Sequence, residues 1–154
     1  MNHSWQDFAH AAPELAAFGE RRLKAGPAYL ATVGANGMPR VHPVTPILAE
    51  GHLLLFMEPT SPKGHDLRRG SGYALHCSVA NSDGGEGEFG LTGHAILTED
   101  PAMRERAARF GYSPKDIYIL FELTVESAFS TTYPDDGPPV RQKWKALANA
   151  NRNS

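Results

Sequence analysis

Asn36-Gly37 stands between two strand-like runs, Tyr29 to Val33 and Arg40 to Thr45, and this pair permits little besides a tight reversal that brings them together antiparallel. Tyr29, Ala31 and Val33 alternate with Leu30 and Thr32, which is the period of a strand. The second run contains Pro43, and Pro46 follows it; neither can donate to a ladder. That strand is therefore expected at a sheet edge, at a bulge, or partly against a ligand.

The rest of the chain is punctuated in the same way. Glu50-Gly51 turns into the apolar strand His52 to Met57; after a short helix from Pro62 to Arg69, another strand runs from Tyr73 to Val79. Tyr73, Leu75, Cys77 and Val79 share one face of it. Beyond the Gly84-Gly85 loop, a long strand is expected from Glu88 to Thr98, with Gly90 and Gly93 permitting sharp coiling. Ile117, Ile119, Phe121, Leu123 and Val125 then alternate with polar residues in a half-buried strand continuing toward Thr132. Val140 to Ala146 forms a last strand or arm, and residues 148–154 are expected to fray.

Helical signals are few and short. Ser4 and Asp7 have capping-box spacing, and Pro13 is tolerated only in a first turn, so a short turn near Phe8 precedes a helix from Ala12 to about Lys24. Asp100-Pro101 starts a helix through about Phe110 that stops at Gly111. This order predicts a mainly β (α+β) fold: a six-stranded antiparallel split β-barrel with Greek-key character and peripheral short helices. One domain spans 1–154, with an N-terminal helical segment over 1–27 and a C-terminal arm over 134–154.

A net charge of -2 provides no global field for nucleic acid or an acidic membrane, so any anion site has to be local. No apolar run reaches the roughly 18 residues that span a bilayer. A single cysteine excludes an intrachain disulfide, and the start lacks a basic region followed by an apolar run, so a cytoplasmic protein is expected.

The segment Lys63 to Arg69 supplies such local positive charge. Arg40, held on a strand, can donate bidentately to a phosphate, and Ser61 and Lys63 fall at the start of a helix, where unpaired N–H groups favour an anion. A phosphorylated ligand across a barrel is the expectation. The seven histidines, His42, His76 and His94 among them, have no short metal-ligand spacing, so no metal site is expected. Tyr133, Arg141, Lys143 and Trp144 form a basic and aromatic cluster that does not amount to a nucleic-acid module.

The segment Ala31 to Val44, followed by Leu55-Phe56-Met57, Ser61-Pro62-Lys63 and Arg68-Arg69, resembles the pyridoxamine 5'-phosphate oxidase-like flavin-binding split-barrel family. The resemblance implies FMN at the interface of a homodimer, with a small-molecule substrate or electron donor reaching the ring. It makes Arg40 a phosphate ligand and Ser61 and Lys63 the phosphate cradle. Val41, His42, Pro43, Val44 and Thr45 would lie along the isoalloxazine, with Phe56 and Met57 bordering the ring or ribityl chain. Trp144 would reach the neighbouring subunit's site. Thr45 stands where the oxidases carry lysine, Glu88 where they carry glutamine, and their C-terminal arginine motif has no counterpart. The resemblance thus implies a flavin oxidoreductase other than a true pyridoxamine phosphate oxidase. Related split barrels hold the deazaflavin F420 or haem, which are the alternative cofactors, and a non-catalytic sensor or storage protein is the alternative role.

Overall fold

The computed structural model describes residues 3–147, so the expected fraying of 148–154 lies outside the described residues. Helices α1 (Trp5–Ala11) and α2 (Pro13–Lys24) are separate, as Pro13 requires. The Ser4 hydroxyl accepts the Asp7 N–H at 3.2 Å and the Asp7 carboxylate accepts the Ser4 N–H at 2.9 Å, completing the capping box. Helix α2 seats against the sheet through Gly19, where a Cβ would meet the Phe89 ring at 2.3 Å. Its buried Arg22 donates to the Ser78 carbonyl at 2.7 Å and the Gly87 carbonyl at 3.2 Å, tying down the loop between them.

Ten strands follow in chain order. They are β1 (Ala28–Val33), β2 (Pro39–Val44), β3 (Ile47–Ala49), β4 (His52–Met57), β5 (Tyr73–His76), β6 (Glu88–Gly93), β7 (Ala95–Thr98), β8 (Ile119–Leu123), β9 (Ser127–Thr132) and β10 (Val140–Lys145). Helix α3 (Pro62–Arg68) lies between β4 and β5, and α4 (Pro101–Phe110) between β7 and β8. All pairings are antiparallel, in a six-stranded sheet ordered β10-β9-β6-β5-β1-β2 and a four-stranded sheet ordered β3-β4-β8-β7.

Both long strands expected from the sequence change sheet part-way, and the short strand β3 and the arm strand β10 join the sheets as well, so the anticipated six strands become ten. The chain turns a corner at His94, between β6 and β7, and at Thr124 to Glu126, between β8 and β9. The two corners interlock: the Thr124 N–H donates to the His94 carbonyl at 2.8 Å, and the His94 N–H donates to the Thr124 hydroxyl at 2.9 Å. No ladder among the described residues closes the sheets on one another: β2 and β10 are the edges of one, β3 and β7 of the other. The proline-bearing strand β2 is thus an edge, where a missing donor costs nothing.

Strand β4 is buried from Leu53 to Met57 because the four-stranded sheet is covered on both faces. Leu53, Leu55 and Met57 join the main core with Phe8, Leu30, Leu75, Phe89, Leu91 and Phe121. Leu54 and Phe56 face the other way, into a smaller cluster with Ile47, Leu120 and Ala107 of α4. Val79, expected to continue the buried face of β5, is 46% exposed beyond the strand's end at His76.

Candidate functional site

Thr32 and Arg40 stand opposite each other on the β1–β2 ladder, and α3, which packs against β1, brings Asp66 between them. The Thr32 hydroxyl and Arg40 Nε both donate to Asp66 Oδ2, at 2.8 and 2.9 Å. Arg69 Nη2 donates to the other oxygen, Oδ1. The Asp66 side chain has no exposed surface. Burial alone would raise its pKa, but the hydrogen bonds from Arg40 and Thr32 and the charges of Arg40 and Arg69 outweigh it, so the carboxyl sits below the usual range and stays ionised.

Arg40 is consequently fixed. Its Nη2 lies so close to Gly34 that a Cβ there would be 2.9 Å away, and only Nε is engaged by the carboxylate. Lys63, one helical turn before Asp66, takes part in no ion pair among the described residues. Ser61 is the N-cap of α3: its hydroxyl accepts the Gly64 N–H at 3.2 Å. The edge strand and the short helix therefore bring Arg40 and Arg69 onto one buried acid, with Lys63 one turn earlier on the same helix.

The remaining residues expected at the site divide by face. On β2, Arg40, His42 and Val44 point inward, while Val41 and Pro43 point outward; Val41 is 62% exposed and Thr45 beyond it is exposed. His42 Nε2 is buried with no hydrogen-bond partner among the described residues. Met57 Sδ lies beside Gly64, 3.3 Å from where its Cβ would be, so this residue backs α3. Phe56 points to the opposite face of the same sheet, 5.5 Å from the Tyr112 ring and under the Arg104 guanidinium. Adjacent strand residues cannot line one groove, so Phe56 and Met57 are not brought together.

Trp144 is furthest away. It lies on β10, five strands from β2 in the same sheet, a separation of about 24 Å at ordinary strand spacing. Its ring packs on Phe8 of its own chain at 5.0 Å.

The outward face of the six-stranded sheet carries a cross-strand row that the sequence did not reveal. Pro43, Tyr29, His76, Gly90, Phe129 and Lys143 are successive register partners from one edge to the other. Phe129 leans over Gly90, where a Cβ would be 2.4 Å from its ring, and stands 5.9 Å from His76. His76 Nδ1 is 2.6 Å from the Cys77 carbonyl oxygen and Nε2 is 3.5 Å from Glu88, which also accepts from the Tyr133 hydroxyl. Clefts of about 400 Å³ under α1 and about 430 Å³ beside Phe129 and Trp144 involve neither Arg40 nor Lys63.

Solved structures share this arrangement of strands and helices. PhzG from Burkholderia lata, solved in complex with tetrahydrophenazine-1-carboxylic acid, superposes with a TM-score of 0.66 at 13% identity, covering 94% of this chain and 89% of that one. A candidate pyridoxamine 5'-phosphate oxidase from Lactobacillus delbrueckii gives 0.56 at 23% identity, over 71% of this chain and 90% of the other. The fold is that of the pyridoxamine 5'-phosphate oxidase-like proteins. A heme-binding protein from Mycobacterium smegmatis shares it too, with a TM-score of 0.60 at 21% identity over 82% of this chain and 57% of that one. No family model matches the sequence, and none of the curated proteins is similar to it in sequence.

The sequence singled out Arg40, Ser61 and Lys63 and placed Arg69 in the resemblance without a role, but passed over Asp66. The spacing carried a signal: Lys63, Asp66 and Arg69 are three residues apart, so each stands one turn from the next along α3.

Proposed function

We propose that this protein is a cytoplasmic, homodimeric FMN-binding oxidoreductase acting on a small substrate. The observation that carries the reading is Arg40, fixed by a buried carboxylate and still holding unused N–H donors, beside a helix bearing Lys63 and Arg69. Such a set suits a phosphorylated ligand far better than a neutral one. The shared fold with a candidate pyridoxamine 5'-phosphate oxidase supports the flavin form of that ligand.

FMN, when bound, supplies hydride or electron transfer. The protein's part is to hold the phosphate through Arg40 and Lys63, with Ser61 nearby, and to run the exposed side of Val41 to Thr45 along the ring. The outward row with Tyr29, Val33 and Val41, each at least 45% exposed, favours a second copy covering this face. Trp144 lies at the far edge of its own sheet, so it can approach a ligand at Arg40 only from that second copy. No described helix is long and apolar enough to cross a membrane.

The test is the absorption spectrum of freshly purified protein, followed by FMN titration at defined salt. Bound flavin with an FMN preference over riboflavin is expected; absence of any flavin affinity would overturn the proposal. A haem reading is favoured by one specific observation, the buried and unpartnered His42 Nε2, which is free to ligate iron. A Soret band on haem addition that disappears in His42→Ala would select it, and tighter binding of deazaflavin than of FMN would select the reductase alternative.

A further inference from the structure

We propose that Asp66 is the positioning residue of the anion site, and that the set Arg40, Asp66, Arg69 and Lys63 selects a terminal, doubly charged phosphate over a singly charged phosphodiester. The inference rests on the reading of Arg40 as an anion ligand and names the ligand class that site takes.

A carboxylate beside a phosphate-binding arginine is at first sight a handicap, because the pair is neutral and its charge repels the ligand. The geometry resolves this. Asp66 is wholly buried, and its two oxygens are divided, Oδ2 to Arg40 Nε and Thr32, Oδ1 to Arg69 Nη2. One Arg40 N–H is spent, and the other four, in the same plane, make no hydrogen bond among the described residues. Arg69 offsets the acid, so the two arginines and one carboxylate keep a net positive charge. Lys63, one turn before Asp66 on the same helix, takes the formal charge of the set to two.

The other two charges of this segment, Glu58 and Arg68, are of opposite sign and leave it unchanged. Glu58 is turned to the Thr60 N–H at 3.0 Å and to the Thr60 hydroxyl, and Arg68 donates to the Pro59 carbonyl. A surplus of two matches a phosphate monoester above its second pKa near about 6. A diester carries one charge and leaves the surplus half used. Orientation matters as much as charge, since a guanidinium recognises phosphate through parallel N–H bonds.

Charge and orientation predict opposite signs for one substitution. Asp66→Asn removes a negative charge, so if Asp66 only repelled the ligand, FMN would bind more tightly. As a positioning residue its loss frees Arg40, and FMN affinity should fall by about tenfold while riboflavin changes less than about twofold. Arg69→Gln keeps an N–H for Oδ1 on an exposed position and removes one charge; it should cut the preference for FMN over riboflavin cyclic 4',5'-phosphate, a singly charged phosphodiester on the same ring, by about tenfold. This second variant carries the test if Asp66→Asn does not fold.

Calorimetric titration of the three flavins into wild type and both variants at pH 7.5, with FMN repeated at pH 5.5, gives the answer. FMN weakening in Asp66→Asn, loss of discrimination in Arg69→Gln, and weaker FMN at pH 5.5 support the proposal. Tighter or unchanged FMN in Asp66→Asn overturns it, as does wild type that binds FMN no better than riboflavin, a result that leaves flavin binding itself standing. If wild type binds no flavin, the flavin reading falls, and inorganic phosphate decides: a rise in Tm seen in wild type and absent in Arg69→Gln supports the inference, and no rise overturns it.

Discussion

Gly93 lies against the Thr124 carbonyl so closely that a Cβ at Gly93 would stand 2.0 Å from the oxygen. This contact fixes the corner where the chain passes between the two sheets, from β6 into β7 and from β8 into β9. The obstructing atom is backbone, held by the Thr124 and His94 hydrogen bonds, so it cannot swing aside as a side-chain tip could. Gly93→Ala should therefore lower the unfolding free energy by about 3 kcal/mol in urea denaturation. Gly137→Ala, with nothing within 4 Å of the new methyl, should change it by less than about 0.5 kcal/mol. Equal effects at both positions would refute the interlocked corner.

Lys63 gives the cleanest test of the cationic patch, because it takes part in no ion pair among the described residues and its loss should cost little stability. Lys63→Ala should weaken FMN by about tenfold and leave riboflavin unchanged, since only FMN carries the phosphate. The difference should shrink as salt is raised, because the side chain is only half-buried. Equal losses for the two flavins would move the phosphate elsewhere.

His76 should give the protein a pH-dependent stability. The adjacent Cys77, through its side chain and its carbonyl 2.6 Å from Nδ1, together with the charge of Glu88, outweighs burial and raises its pKa from 6.5 to about 9. Folding thus favours the imidazolium. Its contribution is complete below about pH 6.5 and is lost as pH rises through about 9. An NMR titration should put the His76 midpoint well above the usual histidine value, with Cys77→Ala and Glu88→Gln each lowering it and flattening the stability profile between those limits. A midpoint near 6.5 in the wild type would show that Cys77 and Glu88 do not favour the imidazolium.

Much of this architecture could be read locally. The Asn36-Gly37 reversal, the Ser4–Asp7 capping box, the Asp100-Pro101 helix start and the edge position of the proline-bearing strand each depend on neighbours in sequence. The corners could not be read so, because apolar alternation runs unbroken from Ile119 through Val125 while the partner strands change, and nothing in a period of two records which sheet is on either side. The same limit applied to the candidate site. Arg40 and Lys63 were conspicuous as charges, but Asp66 amid His65 and Arg68 resembled one more solvated helix residue. Only the approach of Thr32 and Arg40 from the sheet shows that it is buried. Adjacent residues with different fates, such as Phe56 and Met57, became separable once both faces of β4 had partners.

Trp144 supplies the last prediction, because two roles for it diverge in a measurable way. Its ring meets Phe8 at 5.0 Å and packs against the main core, and β10 covers the edge of β9 from Val140 to Lys145. These contacts lie within one chain, so Trp144→Ala should lower the unfolding free energy by about 3 kcal/mol whatever the protein concentration. Removing residues 137–154 should cost more, since β9 would also become an unpaired edge. If Trp144 served only a neighbouring subunit, the cost would appear only at concentrations where the dimer forms and would vanish on dilution. Denaturation midpoints measured over a hundredfold range of concentration, with mass measured alongside, separate the two: a concentration-independent loss assigns Trp144 to its own core, and a loss confined to the dimer assigns it to the partner.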